Sequence, residues 1–174
     1  SLLAWLFLAS NVVLMSDLPT STAPEAAVSH VLAPATWRCA DFVSDLHLQQ
    51  DDATWHAFAR YLEQTPADAV FLLGDIFEVW VGDDITGAAG HDFERDVAHT
   101  LRAASERRAL YFMHGNRDFL VGAAFCAEAG MTLLHDPCVL EWPLAAGGSE
   151  RILLSHGDAL CIAAVQYMQF RAQV

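Results

Sequence analysis

The sequence predicts a layered α/β domain, and three observations carry that reading. Short apolar runs of strand length alternate with longer stretches whose apolar residues recur at helical spacing. Turn residues divide the two kinds of segment, as β-α-β units require. Four of the apolar runs end directly in a carboxylate, an imidazole or an amide. With 54% hydrophobic and 18% charged residues in a chain of 174, there is enough apolar material for one sizeable core and too much for a disordered chain.

Trp37 to Val43 reads as a strand ending at Ser44-Asp45. Asp52 to Gln64 carries Trp55, Phe58, Ala59 and Leu62 at helical spacing, with Asp51 or Asp52 placed to cap it and Thr65-Pro66 to stop it. Ala69 to Leu73 is a buried-type strand, Phe93 to Arg107 a helix, and Ala109 to Met113 a third strand. Phe119 to Ala129 reads as a helix ended by Gly130. Met131 to Leu134 and Val139 to Trp142 are short strands separated by Asp136-Pro137. Gly147-Gly148 marks a turn, Arg151 to Leu154 another strand, and Val165 begins a further helix. Right-handed crossovers would bring the ends of several strands to one sheet edge, where ligands bind in such folds.

The first 36 residues read differently. Leu2 to Met15 is nearly all apolar, but shorter than the roughly 20 residues of a membrane span. No Lys or Arg precedes it as in a signal peptide. Met15-Ser16-Asp17 looks like a natural start, and Ser16 to Ala35 is rich in Ser, Thr, Pro and Ala. The expectation is a leader over residues 1–36, outside the fold, and a domain over 37–174. Cys39, Cys126, Cys138 and Cys161 form no C-x-x-C pair and are read as reduced thiols. A formal charge of -13 argues against sequence-independent nucleic-acid binding, which needs a basic footprint.

The chemistry is concentrated after the apolar runs: Asp45-Leu46-His47, then Gly74-Asp75, then His114-Gly115-Asn116-Arg117-Asp118, then His156-Gly157-Asp158. Singly, each is weak, since an Asp after a strand is usually a turn or cap and a lone His is usually just hydrogen-bonded. The ordered set is far more specific. Its physical sense is a pair of metal ions about 3.5–4 Å apart, clamping the attacking and leaving oxygens of a phosphoryl group. Asp75, ending a central strand just after a glycine, is the candidate bridge. Asp45 and His47 would hold one ion, Asn116 and His156 the other. Oxygen and imidazole donors without thiolate suit Mn²⁺, Fe²⁺ or Zn²⁺. His30, His56, His91, His99 and His135 have no partner at ligand spacing.

These blocks resemble the calcineurin-like metallophosphoesterase superfamily, whose pattern runs D-x-H, G-D, G-N-H-[ED], an H-containing turn and a final G-H-x-H. More narrowly, Phe77-Glu78-Val79-Trp80-Val81-Gly82-Asp83-Asp84, with Arg117 where the superfamily usually has histidine, resembles the branch that cleaves UDP-2,3-diacylglucosamine in lipid A biosynthesis. Phe42 to Leu48, His114 to Gly122, His156 to Cys161, Tyr167 and Phe170-Arg171 extend the match. The resemblance implies an α-β-β-α metallophosphoesterase fold and hydrolysis of the pyrophosphate bond to UMP and 2,3-diacylglucosamine 1-phosphate. It implies two divalent ions, Mn²⁺ foremost, held by Asp45, His47, Asp75, Asn116 and His156. Asn116, Arg117 and His156 take the catalytic positions, with Asn116 and Arg117 on the substrate. Arg117 would bind phosphate through its planar fork, and its high pKa excludes it as a proton donor; the alternative for it is a surface ion pair with Asp118. The acylated substrate implies a cytoplasmic enzyme bound peripherally at the inner membrane, with no nucleic-acid partner.

Two departures stand out. Ile162-Ala163-Ala164 occupies a place where the branch carries a polar, acidic run, and no G-H-x-H follows before Val174. The expectation is therefore a fold incomplete at its C-terminus, weakly active or inactive as a fragment. The alternatives are a metallophosphoesterase acting on nucleotide polyphosphates and a non-catalytic domain that binds metal or lipid.

Overall fold

The computed structural model describes residues 12–14, 28–50 and 52–158. In chain order these form β1 (Val12–Leu14), β2 (Ser29–Leu32), β3 (Ala40–Val43), α1 (Ala53–Gln64), β4 (Ala69–Leu73), a 3₁₀ turn over Asp83–Gly87, α2 (Asp92–Ser105), β5 (Ala109–Met113), α3 (Ala123–Ala129), β6 (Met131–Leu134), β7 (Cys138–Pro143) and β8 (Ser149–Leu154). One sheet has the order β3-β4-β5-β6 and is parallel throughout, with α1, α2 and α3 as its crossovers. The other has the order β1-β8-β7-β2, antiparallel except where β2 runs parallel to β7.

The period-two alternation of β4 assigns its two faces. Val70 and Leu72 pack with Phe58 and Leu62 of α1, Val97 and Leu101 of α2, and Phe125 of α3. Ala69, Phe71 and Leu73 pack with Val31, Leu140, Ile152 and Leu154 of the second sheet. Every residue of β4 is buried, which is why it reads as an unbroken apolar run. Phe42, Phe71 and Tyr111 occupy one register across β3, β4 and β5, their rings stacked with centroids 5.2 and 4.6 Å apart. The described layers are thus helices, parallel sheet and mixed sheet, an α/β architecture.

The caps follow the sequence closely. Asp52 accepts the Thr54 N–H at the start of α1, and Thr65, extended ahead of Pro66, ends it. Gly130 closes α3 in the left-handed conformation, φ 71°.

Two stretches differ from the expectation, and a third lies outside the described residues. Residues 29–32, assigned by composition to the leader, form a strand paired with β7, and Val31 and Ala33 are buried in the inter-sheet core. Val31 is the one buried residue of this four-residue strand, and Pro34 follows two residues after it, so its strand signal is short and easily read as linker. Helix α3 starts at Ala123 rather than Phe119, because the Asp83 carboxylate accepts the N–H groups of Gly122 and Phe125 (2.7 and 2.9 Å) and fixes the first turn there. That cap comes from 39 residues upstream, beyond any local pattern. The helix read from Val165, together with Cys161, Ile162-Ala163-Ala164, Tyr167 and Phe170-Arg171, lies outside the described residues.

Burial pushes the Cys126 thiol up to about 12, the Asp83 charge adding to the rise, and pushes Cys138 up to about 11. Neither offers thiolate at neutral pH. Iodoacetamide at pH 7.5 should leave both unmodified in the native protein and alkylate both in urea, as read by peptide mass spectrometry. Labelling of native Cys138 would contradict its place in the inter-sheet core.

Candidate metal centre

The parallel sheet delivers its strand ends side by side, and backbone hydrogen bonds zip the loops after β3 and β4 together. Asp45 N–H donates to the Gly74 carbonyl (3.1 Å), His47 N–H to that of Asp75 (3.0 Å) and Leu48 N–H to that of Ile76 (2.8 Å). Glu78 N–H returns to the Leu48 carbonyl (3.3 Å). Asp45, His47 and Asp75 have φ of 55°, 50° and 53°, and among the described residues no other non-glycine residue has positive φ. L-residues hold that region at a cost of roughly 1–3 kcal/mol each when the surroundings impose it. The three strained residues are the three that converge: one donor atom from each lies within 4.8 Å of the others.

Asp75 is the centre of the group. It is buried; its Oδ1 accepts the Arg117 N–H (2.9 Å), and its Oδ2 stands 3.8 Å from Nε2 of His156. His156, also buried, directs Nδ1 at the Leu73 carbonyl (2.9 Å). A carbonyl can only accept, so Nδ1 carries the proton and Nε2 keeps its lone pair in the neutral ring. That Nε2 also lies 3.6 Å from Oδ1 of Asp158. Nδ1 of His47 is buried with no hydrogen-bond partner, although Oε2 of Glu78 is 3.0 Å away off the hydrogen-bond direction. Two carboxylates and an imidazole, each with a donor atom within 4.8 Å of the others, make an oxygen and nitrogen set that fits a divalent cation.

The glycines make this proximity possible. A Cβ on Gly115 would fall onto the backbone nitrogen and carboxylate of Asp75, and one on Gly74 would meet His156 Nδ1 and the Gly115 backbone.

Asp45, His47 and Asp75 therefore come together, and His156 reaches them through Asp75. Asn116 is exposed on the turn after β5. Arg117 is exposed as well, and its guanidinium pairs with Glu78 (3.0 Å) rather than with Asp118. Asp118 is fully buried. Its Oδ1 accepts from Gly115 (2.7 Å) and Asp75 (3.3 Å), and its Oδ2 from Ile76 (2.7 Å) and Phe77 (3.4 Å), binding the β4 and β5 loops to each other. Burial pushes this carboxyl above its ordinary value; the N–H donors pull it down, and the Asp75 charge nearby raises it. Asp118 and Glu78 are the residues that sequence reasoning passed over. The signal for Glu78 was a lone charge in an apolar run, Ile76 to Val81. Asp118→Asn would turn an amide N–H₂ toward backbone donors and should cost at least about 2 kcal/mol in urea denaturation. A loss under ~0.5 kcal/mol would mean that the clasp does not form.

The comparisons agree with the geometry. The calcineurin-like phosphoesterase family matches residues 41–172. A UDP-2,3-diacylglucosamine hydrolase of Chromohalobacter salexigens is 53% identical over 135 residues, 75% of this chain and 51% of its own length. Those of Pseudomonas aeruginosa and Azotobacter vinelandii are 45% and 44% identical, over 75% and 76% of this chain and 52% and 53% of theirs. The chain spans about half the length of the curated relatives it matches. Among solved structures, nuclease MPE of Pseudomonas putida aligns with a TM-score of 0.39 and 14% identity over 66% of this chain and 72% of that one, too loosely to carry weight. With strand-end carboxylates and imidazoles gathered at one edge and a family match over most of its length, the chain belongs to the calcineurin-like phosphoesterase family.

Proposed function

We propose that the protein hydrolyses the pyrophosphate bond of UDP-2,3-diacylglucosamine, adding water at the α-phosphorus to give UMP and 2,3-diacylglucosamine 1-phosphate. The observation that carries this reading is the convergence of Asp45, His47 and Asp75, with His156 behind Asp75, in a chain 44–53% identical to hydrolases named for that substrate. Asp45, His47, Asp75, Asn116 and His156 would hold two divalent ions, Mn²⁺ by the family resemblance, in an oxygen and imidazole set that also suits Fe²⁺ and Zn²⁺. Bound there, such ions supply charge neutralisation at the phosphoryl oxygens and a water acidified toward neutral pH.

The chain's own residues do the rest. The Leu73 carbonyl fixes the tautomer of His156. Asp75 is locked in place by the N–H of Arg117 and the Asp118 clasp. The guanidinium of Arg117, at the exposed mouth, would take the phosphate and stabilise charge growing on it. Acting on an acylated substrate, the enzyme would work in the cytoplasm, bound peripherally at the inner membrane.

The test is UMP release, followed chromatographically, from the diacylated substrate and from UDP-glucosamine lacking acyl chains, each with Mn²⁺ and with chelator. The proposal expects Mn²⁺-dependent release from the acylated substrate only. Equal turnover of simple nucleotides would reassign the protein to nucleotide polyphosphates.

A further inference from the structure

We infer that Glu78 is a positioning residue, one carboxylate that holds the metal-binding His47 and the phosphate-binding Arg117 in a single arrangement. The inference rests on the site reading proposed above. Glu78 stands three residues after Asp75, on a backbone fixed by its N–H bond to the Leu48 carbonyl and by the parallel bridge between Leu48 and Phe77. Its two oxygens are divided between loops: Oε1 accepts from Arg117 (3.0 Å), and Oε2 lies 3.0 Å from Nδ1 of His47. The loops after β3, β4 and β5 therefore meet at one side chain.

All three side chains are between a third and about half exposed, so these contacts add little to stability in water. Their effect is on order. A free arginine side chain has many rotamers to lose on binding an anion, and one already held by Glu78 has fewer. A carboxylate beside one imidazole nitrogen orients the ring and leaves the other nitrogen for a cation. One group doing both ties metal affinity to phosphate affinity.

The test uses the 174-residue chain, with Mn²⁺ binding read from the paramagnetic resonance of the free ion and UMP binding read by calorimetry at saturating Mn²⁺. Glu78→Ala should weaken both about tenfold, the lower end of what supporting residues contribute at metal sites, with the melting temperature unchanged. Glu78→Gln, which keeps the reach and one acceptor oxygen, should recover part of both losses. Glu78→Ala added to Arg117→Ala should not weaken UMP binding further, because the two act through one contact. Wild-type affinities in Glu78→Ala, or tighter UMP binding, would overturn the inference, the latter making Glu78 a competitor for Arg117. Identical losses in the Ala and Gln variants would overturn it in favour of charge alone. A wild-type chain that binds no Mn²⁺ would remove the site reading and the inference together.

Discussion

Asp75→Asn should abolish tight divalent-metal binding and at the same time make the metal-free protein more stable. Among the described residues Asp75 links the rest of the centre: it shares the tight group with Asp45 and His47, faces His156, and accepts the Arg117 N–H. Loss of a merely supporting residue weakens metal sites about 10–100-fold, so loss of the central carboxylate should exceed about 100-fold. The gain in stability follows from the same crowding. Without a cation, the Asp75 charge sits buried beside Asp45 and raises the buried Asp118 carboxyl. The Asn side chain removes that charge, keeps an oxygen for the Arg117 N–H and tolerates the left-handed backbone. Asp75→Ala shares the metal loss but orphans that N–H and should be less stable than Asp75→Asn by about 1 kcal/mol. Mn²⁺ titration and thermal melting in chelator measure both effects. Retained Mn²⁺ affinity in Asp75→Asn would mean that Asp75 does not join the site, and a lower melting temperature that repulsion is not what the metal relieves.

That opposition between function and stability shows which parts of the centre were legible in the sequence. The ligand candidates could be read because each follows an apolar run: β4 and β5 were delimited residue for residue by theirs, and the parallel order placed their ends together. What the sequence hid is long-range and polar. The Asp118 clasp joins residues 41 to 43 positions apart, and the Asp83 cap of α3 reaches across 39. A single Asp offers no periodicity, so nothing local distinguishes a buried acceptor of four N–H groups from a surface charge. The ion pair with Asp118, the alternative for Arg117, does not form for that reason: adjacency suggests it, but burial commits that carboxylate to backbone donors.

Gly115→Ala tests the same long-range packing from the other side, and it should be among the most damaging glycine-to-alanine changes in the described chain. The added Cβ would land on the backbone nitrogen and carboxylate of Asp75, atoms that cannot give way as a flexible side chain would. Moving the β4 loop would pull Asp75, Ile76 and Phe77 off Asp118, and moving the β5 loop would pull Gly115 off the same carboxylate. Either way a buried ionisable group loses donors that hold its charge, on top of the steric cost. Overpacking alone amounts to about 1–3 kcal/mol, and the broken hydrogen bonds to a charged acceptor should bring the total to the upper end of that range or beyond. The effect owes nothing to backbone conformation, since φ at Gly115 is not in the left-handed region. Gly87→Ala is the matched control, with ordinary φ and open space where its Cβ would be, and should leave stability and Mn²⁺ affinity unchanged. Urea midpoints and Mn²⁺ titrations of the two variants decide the matter. If Gly115→Ala behaves like Gly87→Ala, the β4 and β5 loops do not abut, and the close approach that makes Asp75 the centre of the site is lost with them.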